Sequence, residues 1–386
     1  MSDPFLELSG AVEAPGSGAP AHYGAPLVEQ RALDAGDAVV SLSHRGVVTV
    51  SGPDRLSWLH SMTSQQLLGL PVGESTETLL LGPTGRIEHA IRLVDDGERS
   101  WLLVDEGAAA PLAAYLNRMR FALRVEVADV SEEYAAVLAF DGGSALPALR
   151  ELGLAVVEWC DPWAEVLRGG TQYAHGEHPG AGWSAVQLVF ARRDLPAVAQ
   201  LVAHPAESGP VRAAGLVALD ALEVRAARPT LHGEVDERAI PHEFDWLRTA
   251  VHLTKGCYRG QETVAKVHNL GHPPRRLVLL HLDGSGGELP QAGALVYVAG
   301  THADDGARPV GRVTRAALHH EWGGIALALL KRSVADDAAL EVRLGDPSEK
   351  DAPGEFVAAA QEVIVPADAG ATRRERIASQ FSARRS

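Results

Sequence analysis

The sequence predicts an α+β fold in which two α/β sandwich domains precede a small C-terminal β-barrel. Three observations carry that expectation. Strand-like apolar runs alternate with amphipathic helical segments over the first two thirds of the chain. Neither a G-x-G-x-x-G nor a G-x-x-x-x-G-K-[ST] loop occurs, which removes the usual support for a doubly wound nucleotide-binding sheet. After "HPPRRL" the helical pattern stops, and short strands follow, spaced by Gly, Asp and Pro.

Taken in order, residues 1–26 are rich in Ala, Gly, Pro and Ser, lack sustained periodicity and are expected to form a flexible arm. The first α+β domain is placed at 27–131. It opens with "VVSLSHRGVVTVSGPDR", a strand broken by a turn at Arg45–Gly46. "GPDRLSWLHSM" reads as a helix start with Asp54 as cap. "TLLLGPTGRIEHAIRLV" is two apolar runs hinged at Gly-Pro-Thr-Gly, a hairpin by its punctuation. A strand "RSWLLVDE" and a helix "AAAPLAAYLNRMRFAL" complete the domain. The second α+β domain, 132–272, repeats the alternation through strands "YAAVLAF" and "SAVQLVFA" and helices "SALPALREL" and "LPAVAQLVAH". The barrel is placed at 273–366 on segments such as "RLVLLHLDG", "PVGRVTRAAL" and "GGIALALLKR". The tail, 367–386, carries five arginines against one glutamate in its last fifteen residues, a solvated basic end.

Composition narrows the function classes. The 386 residues exceed what one core usually holds, and 46% apolar with 22% charged residues is ordinary for a globular protein. A net charge of −15 argues against bulk attraction to nucleic acid or anionic membrane. No membrane-length apolar run or basic-then-apolar leader is visible, so a cytoplasmic location is expected. Two cysteines exclude a disulfide framework and a four-thiolate metal site. Cys160, ending the apolar run "LAVVEWC", is expected to be a buried small hydrophobe.

Cys257 has different company, in "KGCYRGQE". Gly256 and Gly260 flank it and permit positive φ and close backbone approach. Lys255 as a cation would favour the thiolate, the nucleophilic and metal-binding form. Gln261 offers a paired donor and acceptor suited to the amide-like edge of a heterocycle. On chemistry alone, a tight polar turn accounts for these residues as well as a reactive thiol does.

Lys-Gly-Cys-aromatic-x-Gly-Gln-Glu closely resembles the signature of the YgfZ family, folate-binding proteins related to the aminomethyltransferase (T-protein) of the glycine cleavage system and to mitochondrial iron–sulfur assembly factors. "GPDRLSWLHSMTSQ", "LLLGPTGRIEHAIRL", "PHEFDWL" and "PVGRVTRAALHHEWGGIALALL" follow in family order. The resemblance implies a three-domain, T-protein-like ring around a channel that binds tetrahydrofolate or a derivative. It implies an accessory role in iron–sulfur cluster assembly or repair, indirectly supporting transfer RNA modification, with iron–sulfur assembly or client proteins as transient partners and no direct contact with nucleic acid or membrane. Position by position, it makes Cys257 the functional thiol, with Lys255 beside it and Gly256, Tyr258, Gly260, Gln261 and Glu262 shaping a folate-binding loop. The alternative is a folate-dependent one-carbon transferase or demethylase, for which His242, Glu243 and Glu262 are the acid–base candidates.

Departures from the family pattern are informative. Where relatives carry the pterin-holding carboxylate, this chain has Arg225; Glu223 is about 200° round a helix from it. Arg225 and Glu243 are therefore counted among the folate-contacting candidates. T-proteins carry an aspartate pair where this chain has His89 and Ala90, and Glu88, one residue off, points to the other face of a strand. His232, His242, His252, His268 and His272 crowd the same stretch. The helix breakers in "VHNLGHPP" deprive His268 and His272 of a helical ligand spacing, and no resident metal is expected.

Overall fold

The computed structural model describes residues 2–203, 211–302, 308–348 and 354–371. Its chain divides into two compact units: Met1–Leu80, His89–Glu165 and Gly182–Glu223 form the first, and Leu81–Glu88, Val166–Ala181 and Val224–Ser386 the second.

Two five-stranded sheets build the first unit. One has the order Ala155–Cys160, Ala185–Ala191, Tyr134–Phe140, Ala38–Leu42, Arg212–Ala213, antiparallel except for the last pair. The other orders Ser75–Leu81, Ile87–Asp95, Arg99–Val104, Gly46–Ser51, Glu126–Asp129. The sheets face each other through Val47, Val94, Trp101 and Leu103 on one side and Trp159 and Val189 on the other. Trp159 is fully buried and satisfies its indole N–H on the Thr76 carbonyl at 2.7 Å.

This pairing corrects the expected boundary at 131/132. Strand Ala38–Leu42 pairs with Tyr134–Phe140, so the first and second expected domains share a sheet. "VVSLSHRGVVTV" is not one broken strand but two, each given to a different sheet. Alternation reveals a strand and says nothing of its partner.

The expected flexible arm is also corrected, for residues 2–26. A short 3-10 helix, Pro4–Glu7, puts Phe5 at 0% exposure among Val137, Leu149 and Leu188. The Asp3 carboxylate accepts the hydroxyls of Ser41 and Ser43, each at 2.6 Å. Glu29 accepts the backbone N–H groups of Tyr23, Ala25 and Gly215. One aromatic ring and two carboxylates outweigh a composition that reads as linker; burying a Phe alone contributes about 1.5–3 kcal/mol. Asp54 stands at the helix N-terminus as expected but gives its carboxylate to Arg124 rather than to the helix. Cys160 is corrected too: it is exposed, because strand Ala155–Cys160 lies at the sheet edge and ends at that residue.

In the second unit six strands close a barrel in the order Arg275–Leu282, Gly323–Lys331, Gly311–His319, Leu295–Val298, Leu340–Arg343, Phe356–Val363. Register sets Val278 opposite Ala328 and Leu280 opposite Ala326, and these positions fill the interior. A bulge between Val313 and Arg315 presents Thr314 and Arg315 together to the buried Glu234, at 3.1 and 2.8 Å. The basic residues after Ala371, 372–386, lie outside the described residues. Among the described residues, no helix is long and apolar enough to cross a membrane.

Candidate functional site

The site is assembled in the second unit from four pieces of chain. The first is Thr230–Val251, rich in polar residues and wholly buried from Ala239 to Val251. Thr230 caps the short helix Leu231–Glu234 through the Gly233 N–H. The 3-10 turn Pro241–Phe244 follows, and its Glu243 carboxylate accepts the Ile240 N–H. Glu243 also receives Arg275 through two nitrogens at 2.8 Å. Arg275 bridges in turn to Asp236, which Arg312 also contacts. Burial raises the Glu243 carboxyl above its usual range, with Arg275 pulling the other way.

At the end of that turn Asp245 adopts φ 54°, a left-handed conformation that a buried non-glycine residue holds only when its surroundings enforce it. Its carboxylate accepts the N–H groups of Tyr173 at 2.6 Å and Ala174 at 3.2 Å. Burial nevertheless pushes its pKa up to about 7. His178 Nε2 lies 3.9 Å away, and burial drives that imidazole down to about 3.

The second piece is the loop Thr254–Gly260. Cys257 is exposed, as is Gly256, where an added Cβ would meet nothing within 4 Å. Their neighbours turn inward. Lys255 and Tyr258 are 7% and 8% exposed, and the Lys255 ammonium sits 5.1 Å from the Tyr258 ring centre. Burial pushes the Lys255 amine down to about 7, so near neutrality it is shared between charged and neutral forms. The Gln261 carboxamide donates to the Lys255 carbonyl at 3.3 Å.

The third piece is the helix Gln261–Leu270, entered through Gly260 at φ 84°. Glycine is required there twice over, because a Cβ would stand 2.6 Å from the Gly82 carbonyl oxygen. That carbonyl belongs to the fourth piece, the Gly82–Gly85 turn expected from the sequence, closed by Gly82 N–H to Arg86 O at 2.8 Å. Arg259 seals the contact on Glu88 at 2.8 Å. The helix runs through His268, which the breakers in "VHNLGHPP" had argued against; only His272 falls beyond its end. His242 Nε2 lies 3.0 Å from the Val264 carbonyl, so it carries the proton there, and burial holds the ring neutral with a pKa of about 3.

The structure thus brings Lys255, Gly256, Cys257, Tyr258, Gly260, Gln261 and the exposed Glu262 into one loop and helix start. Glu243 and Arg225, the other folate-contact candidates, are engaged within the fold. Glu243 is fully buried and taken up by Arg275, and the Arg225 guanidinium stacks 5.4 Å over the Trp322 ring. Among the described residues no three His, Cys, Asp or Glu side chains converge as a metal site. Sequence reasoning missed Asp245, Gly169 and Tyr173. The one available signal was "RGG" at Arg168–Gly170, a glycine pair with no strand or helix to punctuate.

The fold is like that of the T-protein of the glycine cleavage system. Aminomethyltransferase T from Bartonella henselae superposes with a TM-score of 0.71 over 94% of this chain and 95% of its own, at 18% identity, a likeness of fold. In sequence the chain is 29% identical over 332 residues to an aminomethyltransferase of Thermus thermophilus, covering 84% of this chain and 88% of the relative. A chloroplastic protein of Arabidopsis thaliana, provisionally named a transferase, is 28% identical over 65% of this chain and 58% of its own length. A mitochondrial iron–sulfur cluster assembly factor IBA57 homolog of Mycosarcoma maydis is 26% identical over 63% and 56%. The chain therefore spans less than two thirds of the length of these last two relatives. No family model matches.

Proposed function

We propose that the protein is a tetrahydrofolate-binding accessory factor of iron–sulfur cluster assembly or repair, of the YgfZ type, acting through the Cys257 thiol. The observation that supports this best is the contrast inside one loop: Cys257 and Gly256 face solvent while the flanking Lys255 and Tyr258 are buried. A turn serving only the fold has no need to bury a lysine amine beside an exposed thiol. The similarity to an iron–sulfur assembly factor homolog and to aminomethyltransferases supports the two halves of the reading. In this reading Gly256, Tyr258, Gly260, Gln261, Glu262, Glu243 and Arg225 remain the candidates to contact a folate, which would supply one-carbon chemistry. Cys257 serves as a single ligand or sulfur acceptor during handover, since a cluster ordinarily takes four thiolates. Clients include cytoplasmic enzymes that thiolate transfer RNA, reached through protein contacts rather than through the nucleic acid.

The aminomethyltransferase relatives favour a second reading, a folate-dependent one-carbon transferase. Glu243, its strongest acid–base candidate, is held by Arg275 away from solvent, and His242 is buried against the helix. Titration calorimetry with tetrahydrofolate tests the shared premise: saturable heat is expected, and a flat trace leaves only protein–protein roles. Binding without turnover of methylated amines separates the accessory factor from the transferase.

A further inference from the structure

We propose that the segment Gly169–Ala174 is a strap that positions the Cys257 loop from both of its roots, with Tyr173 and Asp245 as the positioning residues. Three of the bonds that close the loop on its ends are long. Gln261 N–H reaches Tyr258 O at 3.2 Å, the Gln261 carboxamide reaches Lys255 O at 3.3 Å, and Lys255 N–H reaches His252 O at 3.4 Å. Besides the Arg259–Glu88 pair, the loop is placed by what holds the chain on either side.

On the leading side, Leu253 N–H donates to the Gly169 carbonyl at 2.8 Å, one residue before the loop. The contact is intimate: a Cβ on Gly169 would lie 2.4 Å from the His252 ring, and φ there is +82°. On the trailing side, the Tyr173 hydroxyl is 3.0 Å from His268 Nδ1 on the helix that leaves the loop. The Tyr173 ring also stacks on His242 and on His268, at 6.3 and 6.0 Å between centres. His242 itself binds that helix at Val264. The strap in turn is fixed to the buried segment by Leu167 N–H to Arg248 O at 2.9 Å and Thr171 N–H to Leu247 O at 3.2 Å. The two bonds from Tyr173 and Ala174 N–H to Asp245 complete it. Six residues of otherwise aperiodic chain thus connect both roots of the thiol loop to one carboxylate.

The functional importance of this strap rests on the reading of Cys257 as the working thiol; its mechanical role does not. Hydrogen exchange of the full chain tests the latter. Tyr173→Phe removes one hydroxyl and keeps the ring. It is expected to raise exchange at residues 254–264 about fivefold, the loss of one neutral hydrogen bond, with the barrel strands unchanged. His268→Ala should do the same, and His268→Gln, whose carboxamide oxygen can accept the same proton, should restore slow exchange. A contact that acted through ring packing alone would not show that rescue. Unaltered exchange in both Tyr173→Phe and His268→Ala overturns the strap. A strap confirmed by exchange, combined with an inert Cys257→Ala in cells, would instead overturn the reading of the thiol.

Discussion

The molecule carries two exposed thiols in unlike settings. Cys160 ends an edge strand of the first unit, its N–H on the Ser75 hydroxyl at 2.9 Å, and burial of its surroundings together with Glu158 pushes the thiol up. Cys257 sits on a loop whose flanking side chains are buried and whose following helix is held at several points. Exposure alone does not separate them. The difference lies in how much of the fold is organised around each: a strand end needs only its ladder, whereas the Cys257 loop requires glycines, a buried amine and a strained aspartate.

The widest separation between the two settings should come from their glycines. Gly153, before the Cys160 strand, has φ 63° with nothing within 4 Å of an added Cβ. Gly153→Ala is expected to cost about 1 kcal/mol in urea unfolding, from backbone strain alone. Gly260→Ala adds a backbone clash to the same strain and is expected to cost about 2–4 kcal/mol. Equal costs would mean that the Gly82–Gly85 turn gives way freely and does not frame the loop.

A smaller effect is expected from pH. The folded Asp245 carboxyl, raised to about 7 by burial, keeps its proton where the unfolded chain, titrating near 4, has lost it. Its contribution to stability is therefore fully present below about pH 4 and is lost as pH rises through about 7. Asp245→Asn should remove about 1–3 kcal/mol of that pH dependence, read by urea titrations at pH 5 and pH 8. An unchanged slope would show that the carboxylate stays ionised against Arg248.

How far the sequence foretold this depends on the kind of signal. The barrel was legible because inward positions such as Val278 and Leu280 alternate with outward ones, and period two survives without knowledge of partners. The Cys257 loop stood out because glycines around a lone thiol are unusual. Asp245 was not legible, because an aspartate before a tryptophan reads as a turn residue, and only the fold shows it buried in a left-handed conformation. Nor was the strap, since "LRGGTQYA" has no period and its bonds reach residues 72 and 95 positions away. The packed N-terminal residues failed for a related reason: Phe5 is a single apolar residue whose partners lie far along the chain.

The most direct measurement replaces the two cysteines one at a time in cells and follows an iron–sulfur-dependent enzyme. Cys257→Ala should lower that activity without lowering the amount of folded protein, and Cys160→Ala should leave it intact. Full activity with Cys257→Ala, or the same loss from both, would contradict the assignment of the working thiol.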